Sequence, residues 1–288
     1  MPDPQKLLAT VRKATDLTRS TPGRVGKVIT LDHAGDLMVV GDLHGNLHAF
    51  RQALGVAALD RHPKRHLVLQ ELVHEINKDD DERPDRSHRL VDLVSALKCQ
   101  YPDRVHLILG NHELSELTGR SIGKNNQELN DRFRHGLELS YGASAQSIFQ
   151  AYVRFFAALP LAVRTPNRVF VCHTLPDAIT LDQLDLALLQ ADQWPEESMQ
   201  RGGTIYALTW GRDTTAETAD RFAAMVDADL FITGHQPCDE GFRQANHRQI
   251  IIDGTGPHPA YCLFPTQTPV SMELLLQSTH ILDVLDLS

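Results

Sequence analysis

The sequence is short of the features that mark several specialised protein classes. No apolar run approaches the roughly 18–20 residues that a membrane-spanning helix needs, so no membrane association is expected. Cationic side chains are in deficit: 28 Lys and Arg stand against 37 Asp and Glu, a formal net charge of −9. No nucleic-acid partner is expected either, because phosphate backbones are held mainly by Lys and Arg. A local site for one phosphate is still compatible with that balance. There are four cysteines, Cys99, Cys172, Cys238 and Cys262, and no CxxC pair among them. A zinc ribbon and a thioredoxin motif are thereby excluded. The opening MPDPQKLLATVRKATDLTRS carries no long apolar stretch of the secretory kind. The expected compartment is the cytoplasm, with the four cysteines as free thiols.

What is present is an ordinary globular composition over 288 residues, 42% hydrophobic and 23% charged. That length supports a full hydrophobic core, and a single domain over residues 1–288 is expected. Leu7, Leu8, Val11, Ala14 and Leu17 mark an amphipathic helix over 5–19, part of an N-terminal helical extension spanning 1–30. Short runs rich in Val, Ile and Leu then recur at 37–40, 67–69, 105–109, 169–172, 230–232 and 250–252. Helical patterns at 47–58, 88–98 and 147–159 alternate with them. Buried strands alternating with amphipathic helices predict an α/β fold. Residues 119–146 are polar and poor in strand signal, and read as a candidate cap insertion over the site. Lys78–Arg83 reads as a solvated charged loop. The apolar C-terminal segment 265–288, including Leu274, Leu275, Leu276, Ile281, Leu282 and Leu285, is expected to dock on the core.

Histidine is the one compositional excess, at 15 residues, and it is a frequent metal ligand and proton carrier. His62, His66 and His88 read as surface residues. Others stand directly after apolar runs: Asp42 and His44 in GDLHG, Glu71 in QELVH, Asn111 and His112 in GNHE, His173 after VFVC and His235 in GHQ. Strand ends are where open α/β sheets gather the side chains of a site. In extended chain Asp42 and His44 point to one face, and a carboxylate with an imidazole suits Mn, Fe or Zn. Asn111, His173 and His235 would serve a second cation, with Glu71 as the bridge. Two such cations can clamp a phosphoryl group and convert a bridging water to hydroxide for in-line attack. His112, next to Asn111, is placed to protonate the leaving oxygen.

These pieces resemble the calcineurin-like metallophosphoesterases, and within them the phosphoprotein phosphatases that act on phosphoserine and phosphothreonine. The resemblance rests on GDLHGNLHAF (41–50), YPDRVHLILGNHE (101–113), VFVCH (169–173), LTWGRD (208–213), LFITGHQP (230–237) and IIIDGTG (250–256), and spans residues 36–264. The Trp210-Gly211-Arg212 element and the GHQP and DGTG ending look most like the compact phage and bacterial branch. The resemblance implies a four-layer αββα sandwich with two divalent metal ions (Mn, Fe or Zn, with Mn preferred) at the strand ends. Asp42 and His44 match ligands of the first metal, Asn111, His173 and His235 those of the second, and His112 the general acid. Arg212 falls where that branch keeps a phosphate-binding arginine, whose planar fork suits a phosphoryl group. The implied substrate is a phosphorylated protein or a small phosphoester.

The second motif of that family, Gly-Asp-x-x-Asp-Arg-Gly, is degenerate here and reads Gln70-Glu71-Leu72-Val73-His74-Glu75-Ile76. Glu71 carries one methylene more than the aspartate it replaces. His74 replaces the carboxylate that would orient the acid histidine, and an imidazole there disfavours protonation of His112. Glu75 replaces a phosphate-binding arginine with a charge that repels a phosphate dianion. His74 and Glu75 are accordingly expected to face the substrate. Three readings stay open: an active phosphatase with altered substrate preference, a nucleotide or dinucleoside polyphosphate phosphoesterase, or a catalytically weak binding module of the same fold.

Overall fold

In the computed structural model of the protein, residues 3–76, 83–124 and 127–282 are described. The run 78–82 and Leu285 lie outside the described residues. Helix α1 (Pro4–Arg19) begins where local chemistry favours it: Asp3 accepts from the Gln5 N–H at 2.9 Å, and Pro4 sits at the first helical position. Strands β1 (Arg24–Val25), β2 (Val28–Thr30) and β3 (Asp36–Val40) follow, then α2 (Leu47–Ala57), β4 (Arg65–Gln70), α3 (His88–Gln100), β5 (Val105–Ile108) and α4 (Asn111–Thr118). A short ribbon, β6 (Gly123–Lys124) and β7 (Gln127–Glu128), leads into α5 (Leu129–Tyr141) and α6 (Ala145–Ala158). The chain continues through β8 (Ala162–Arg164), β9 (Val169–Cys172), α7 (Thr204–Trp210), α8 (Ala216–Val226) and β10 (Leu230–Thr233). It ends with β11 (Phe242–Gln244), β12 (Gln249–Ile252), β13 (Ala260–Pro265), α9 (Met272–Gln277) and β14 (Thr279–Ile281).

The strands form two main sheets, one in the order β1-β2-β8-β9-β10-β12-β11 and one in the order β14-β13-β3-β4-β5. Parallel pairing joins β3, β4 and β5 in one sheet and β9, β10 and β12 in the other. Both faces of each sheet are covered, which is why these strands read as unbroken apolar runs rather than as alternating ones. Leu37, Val39 and Val68 share a cluster with Val169, Val171, Ile232, Ile250 and Ile252, and this is the contact between the sheets. Met38, Val40, Leu67 and Leu69 point the other way, into a cluster with Phe50, Leu90 and Val94 of the helices. On the far side Phe170 and Phe231 meet Phe222 of α8. The architecture is the expected αββα sandwich.

Leu7, Val11 and Ala14 of α1 belong to the helix-side core, where α1 packs on α3 and α6. The 119–146 segment contributes Phe133, Leu137 and Tyr141 of α5 to that same core. At the C-terminus Leu275 of α9 is buried between the sheets. The four cysteines are free thiols. Among the described residues no helix is long and apolar enough to cross a membrane. The surface reading of two histidines is corrected. His88 is 1% exposed, packed edge-on against Tyr141, because it opens α3 on its core side. His66 is half-buried and shares a 3.0 Å hydrogen bond with His106 across β4 and β5.

Candidate metal and catalytic site

Parallel strands bring their C-terminal ends to one edge, and the chemistry is concentrated there. Asp42 and His44 follow β3, Glu71 follows β4, Asn111 opens α4 just after β5, His173 follows β9 and His235 follows β10. A parallel bridge between Asp42 and Asp253 ties the two sheets together at this edge. The turns are tight. His44, Glu71, His74 and His235 all have positive φ, of 40°, 48°, 67° and 68°. Non-glycine residues seldom occupy this region, and such outliers cluster at functional sites. Two glycines leave room for the carboxylates. A Cβ on Gly234 would stand 2.1 Å from Asp42 Oδ1, and one on Gly110 would clash with Glu71.

Glu71 lies at the centre. Its Oε1 accepts from the His112 N–H at 3.1 Å and is 3.7 Å from His173 Nε2. Its Oε2 is 3.5 Å from His44 Nε2 and 3.8 Å from His112 Nε2. The longer side chain thus still reaches both halves of the site. Two ligand sets result, His44–Glu71–His112 and Asp42–Glu71–His173. Each imidazole is held by its rear nitrogen, as in sites where an outer partner sets the tautomer of a ligand. His44 Nδ1 faces the Val73 carbonyl at 2.8 Å, and His173 Nδ1 faces Gln70 Oε1 at 3.1 Å. The opposite nitrogens, His44 Nε2 and His173 Nε2, turn toward Glu71. His173 Nε2, Asn111 Oδ1 and His235 Nδ1 converge, at 3.0 and 3.2 Å from His173.

Electrostatics points the same way. Burial, then the neighbouring Asp253, raises the Asp42 carboxyl well above the usual range; burial, then Glu113 and Asp42, does the same for Glu71. Burial holds His112 and His173 well below the ordinary imidazole value and lowers His235 to about 3. Asp42 Oδ1 and Glu71 Oε2 are buried and have no hydrogen-bond partner among the described residues. Buried carboxylate oxygens without partners, facing neutral imidazoles, are what a divalent cation would satisfy. The donor set of oxygen and imidazole nitrogen fits Mn, Fe or Zn.

The remaining predicted residues separate. Arg212 is exposed, just beyond α7, and its charge lowers the pKa of Asp42, His173 and His235, so it borders the site. Glu75 is half-buried in a groove of about 220 Å³ with His44, Asn46 and Thr255. There it accepts from the Arg86 backbone N–H, and its own N–H donates to Asp85. His74, expected to face substrate, is instead fully buried behind His112. Its Nδ1 lies 2.9 Å from His112 Nδ1, and its Nε2 lies 2.7 Å from Glu116 Oε1.

Sequence reasoning missed three supporting residues. Glu113 accepts from the N–H groups of Leu72 and Val73 at 2.7 and 3.2 Å, which shapes the turn after Glu71. Gln70 holds His173 and donates to the Val40 carbonyl at 3.2 Å. Glu116 stands four residues after His112, a spacing that puts both on one face of a helix, and that spacing was the available signal.

Known proteins resemble this chain at two levels. It is 27% identical over 250 residues to a probable serine/threonine-protein phosphatase of Encephalitozoon cuniculi, covering 80% of this chain and 49% of that one. It is 25% identical over 270 residues to serine/threonine-protein phosphatase 5 of Solanum lycopersicum, covering 88% and 43%. The chain thus spans about half the length of the curated relatives it matches. In fold it resembles a Saccharomyces cerevisiae protein serine/threonine phosphatase, with a TM-score of 0.71 at 18% identity over 97% of this chain and 89% of that one. A cold-active protein-tyrosine phosphatase of a Shewanella species gives a TM-score of 0.60 at 14% identity, over 86% and 78%. Members of the matching family use divalent metal ions, in keeping with the ligand groups gathered around Glu71. Residues 36–239 match that family throughout, and the chain belongs to the calcineurin-like phosphoesterases.

Proposed function

We propose that the protein hydrolyses phosphate monoesters in a metal-dependent reaction, with phosphoserine and phosphothreonine in proteins as the preferred substrates. The observation that carries this reading is the Glu71 carboxylate, whose two oxygens face His44 and His173 from opposite sides at 3.5 and 3.7 Å. Family membership supports the reaction class, and the phosphatase names of the relatives support the substrate class. Asp42, His44, Glu71, Asn111, His173 and His235 would hold the divalent cations, with Glu71 common to both groups of side chains. When bound, the pair would supply Lewis-acid polarisation of the phosphoryl group and acidify water.

The chain's own groups do the rest. Arg212, at the border of the site, is available to a phosphoryl oxygen, to which a guanidinium can offer two parallel hydrogen bonds. His112 Nε2 faces the centre and is the atom from which a leaving oxygen would take its proton. Glu75 adds negative charge at the rim, which favours a substrate with a neutral or cationic group beside its phosphate.

The test is metal analysis of the purified protein together with Mn-dependent hydrolysis of p-nitrophenyl phosphate, a phosphoserine peptide and a dinucleoside tetraphosphate. His112→Ala serves as the control. Bound metal and peptide hydrolysis that is lost in the variant are expected. Preference for the dinucleotide would replace the substrate assignment. Absence of both metal and hydrolysis would make the protein a binding module.

A further inference from the structure

In this family the acid histidine is oriented by a carboxylate of the second motif, and here that position is His74. We propose that Glu116, acting through His74, supplies the missing carboxylate and positions His112 to protonate the leaving group. The inference rests on the hydrolytic reading above.

The geometry is a linear chain. Glu116 Oε1 lies 2.7 Å from His74 Nε2, and His74 Nδ1 lies 2.9 Å from His112 Nδ1. The far nitrogen, His112 Nε2, turns to the centre of the site, 3.8 Å from Glu71 Oε2. Glu116 and His74 have fully buried side chains, so water does not compete for these bonds. A carboxylate accepts and does not donate, which assigns the protons in order. His74 Nε2–H donates to Glu116, leaving His74 Nδ1 bare. His112 Nδ1–H then donates to that bare nitrogen, so the second proton that His112 holds when it acts as an acid sits on Nε2, facing the site. With His74 in the reverse tautomer, its Nδ1–H would take the lone pair of His112 Nδ1, and His112 could not then carry protons on both nitrogens.

Glu116 is itself held. Asn130 of α5 donates to its Oε1 at 2.8 Å, and the Arg134 guanidinium stands 4.0 Å from its Oε2. Phe133 packs edge-on against the His74 ring, with centroids 5.8 Å apart. Helix α5, from the segment read as a candidate cap, thus braces the chain from behind. The substitution is also sterically intelligible. Nδ1 of histidine and an aspartate oxygen are both bonded to Cγ, so either presents a polar atom at about the same distance from the backbone. An imidazole there lacks the charge, and Glu116 restores it one ring further out.

In the step that this arrangement serves, the bond between phosphorus and the ester oxygen breaks and its electron pair stays on that oxygen. The oxygen takes the proton from His112 Nε2. A new bond forms from phosphorus to the oxygen of water, whose proton leaves to solvent. His112 ends neutral, with Nδ1–H still donated to His74, and regains its proton from solvent.

Two measurements decide the matter. The first is the ring-nitrogen NMR spectrum of the ¹⁵N-histidine-labelled protein, with His74→Gln used for assignment. His74 protonated at Nε2 and bare at Nδ1, with His112 protonated at Nδ1, is expected; the reverse tautomer at His74 overturns the proposal whether or not the protein is active. The second compares Glu116→Gln with the unaltered protein on p-nitrophenyl phosphate, whose leaving group needs little protonation, and on a phosphoserine peptide. Orientation of an acid is worth on the order of 100-fold. A fall of about that size in kcat for the peptide is expected, with KM within about twofold and p-nitrophenyl phosphate hydrolysis down less than about fivefold. Equal losses on both substrates would assign Glu116 a structural role, and no loss would assign it none; either overturns the proposal. Restoring an aspartate in the double variant Glu116→Gln/His74→Asp should recover peptide hydrolysis about tenfold. If the unaltered protein cleaves neither substrate, the hydrolytic reading fails, while the NMR result still decides whether Glu116 orients the ring pair.

Discussion

Glu71 and Gly110 occupy one space: a Cβ on Gly110 would stand 1.6 Å from Glu71 Oε1 and 2.4 Å from its Cδ. The glycine before Asn111 is therefore what lets the longer carboxylate lie at the centre of the site. The same oxygen accepts the His112 N–H, so the carboxylate and the start of α4 are held together.

Gly110→Ala is accordingly expected to displace the Glu71 carboxylate. Changes around a metal ligand typically cost about 10–100-fold in metal affinity. Metal content should fall, with hydrolysis, while the unfolding midpoint changes little. Glu71→Ala should lose metal outright, and metal content unchanged in that variant would remove Glu71 from the ligand set.

Charge reversal at Glu75 should act on phosphate rather than on folding. The carboxylate is half-buried beside His44 and Asn46, where an arginine would offer hydrogen bonds to a phosphoryl group. Glu75→Arg is expected to strengthen inhibition by inorganic phosphate about tenfold, equivalent to about 1.4 kcal/mol. Inhibition constants equal in the two proteins would mean that position 75 does not face the site.

Arg212 is exposed, and its charge reaches His173 and His235. Arg212→Ala should raise KM for a phosphoserine peptide roughly tenfold, as expected when a charged hydrogen bond to substrate is lost. Thermal stability should be unaffected because no packing is removed. A drop in kcat with KM unchanged would place its contribution in the transition state alone.

His88 sets an acid limit on stability. Burial pushes it down to about 4 from an unfolded value near 6.5, so the unfolded chain binds the proton more readily. Stability tied to His88 is thus complete above about pH 6.5 and is lost as pH falls toward 4, by up to about 3 kcal/mol. Urea unfolding at pH 7.5 and pH 5 should show this loss in the unaltered protein and a smaller one in His88→Gln. An identical pH slope in both would refute the assignment.

The order of elements was legible in the sequence because it is written in local chemistry. The run 67–69 could be read as a strand since β-branched and leucine side chains cover both faces of a buried sheet. Asp42, His44, Asn111, His112, His173 and His235 stood out because each follows such a run, and parallel strands bring those ends to one edge. Glu71 could be located by its place after β4 but not by its reach, which depends on the space left by Gly110. The burial of His88 was hidden because a polar residue at a helix start looks the same whether or not Tyr141 covers it.

The sequence by itself therefore determined the alternation of buried strands with amphipathic helices and the polar side chains that follow the strands, both of which follow from side-chain type and the period of the backbone. Only the tertiary structure decided what His74 does. From the sequence it is a replaced carboxylate expected beside the substrate. In the folded chain a turn at φ 67° sends its ring behind His112 to meet Glu116, which Asn130 holds from another helix. A hydrogen-bonded chain of this kind depends on the relative placement of β4, α4 and α5, and that is set by core packing between residues distant in sequence rather than by any spacing within a motif.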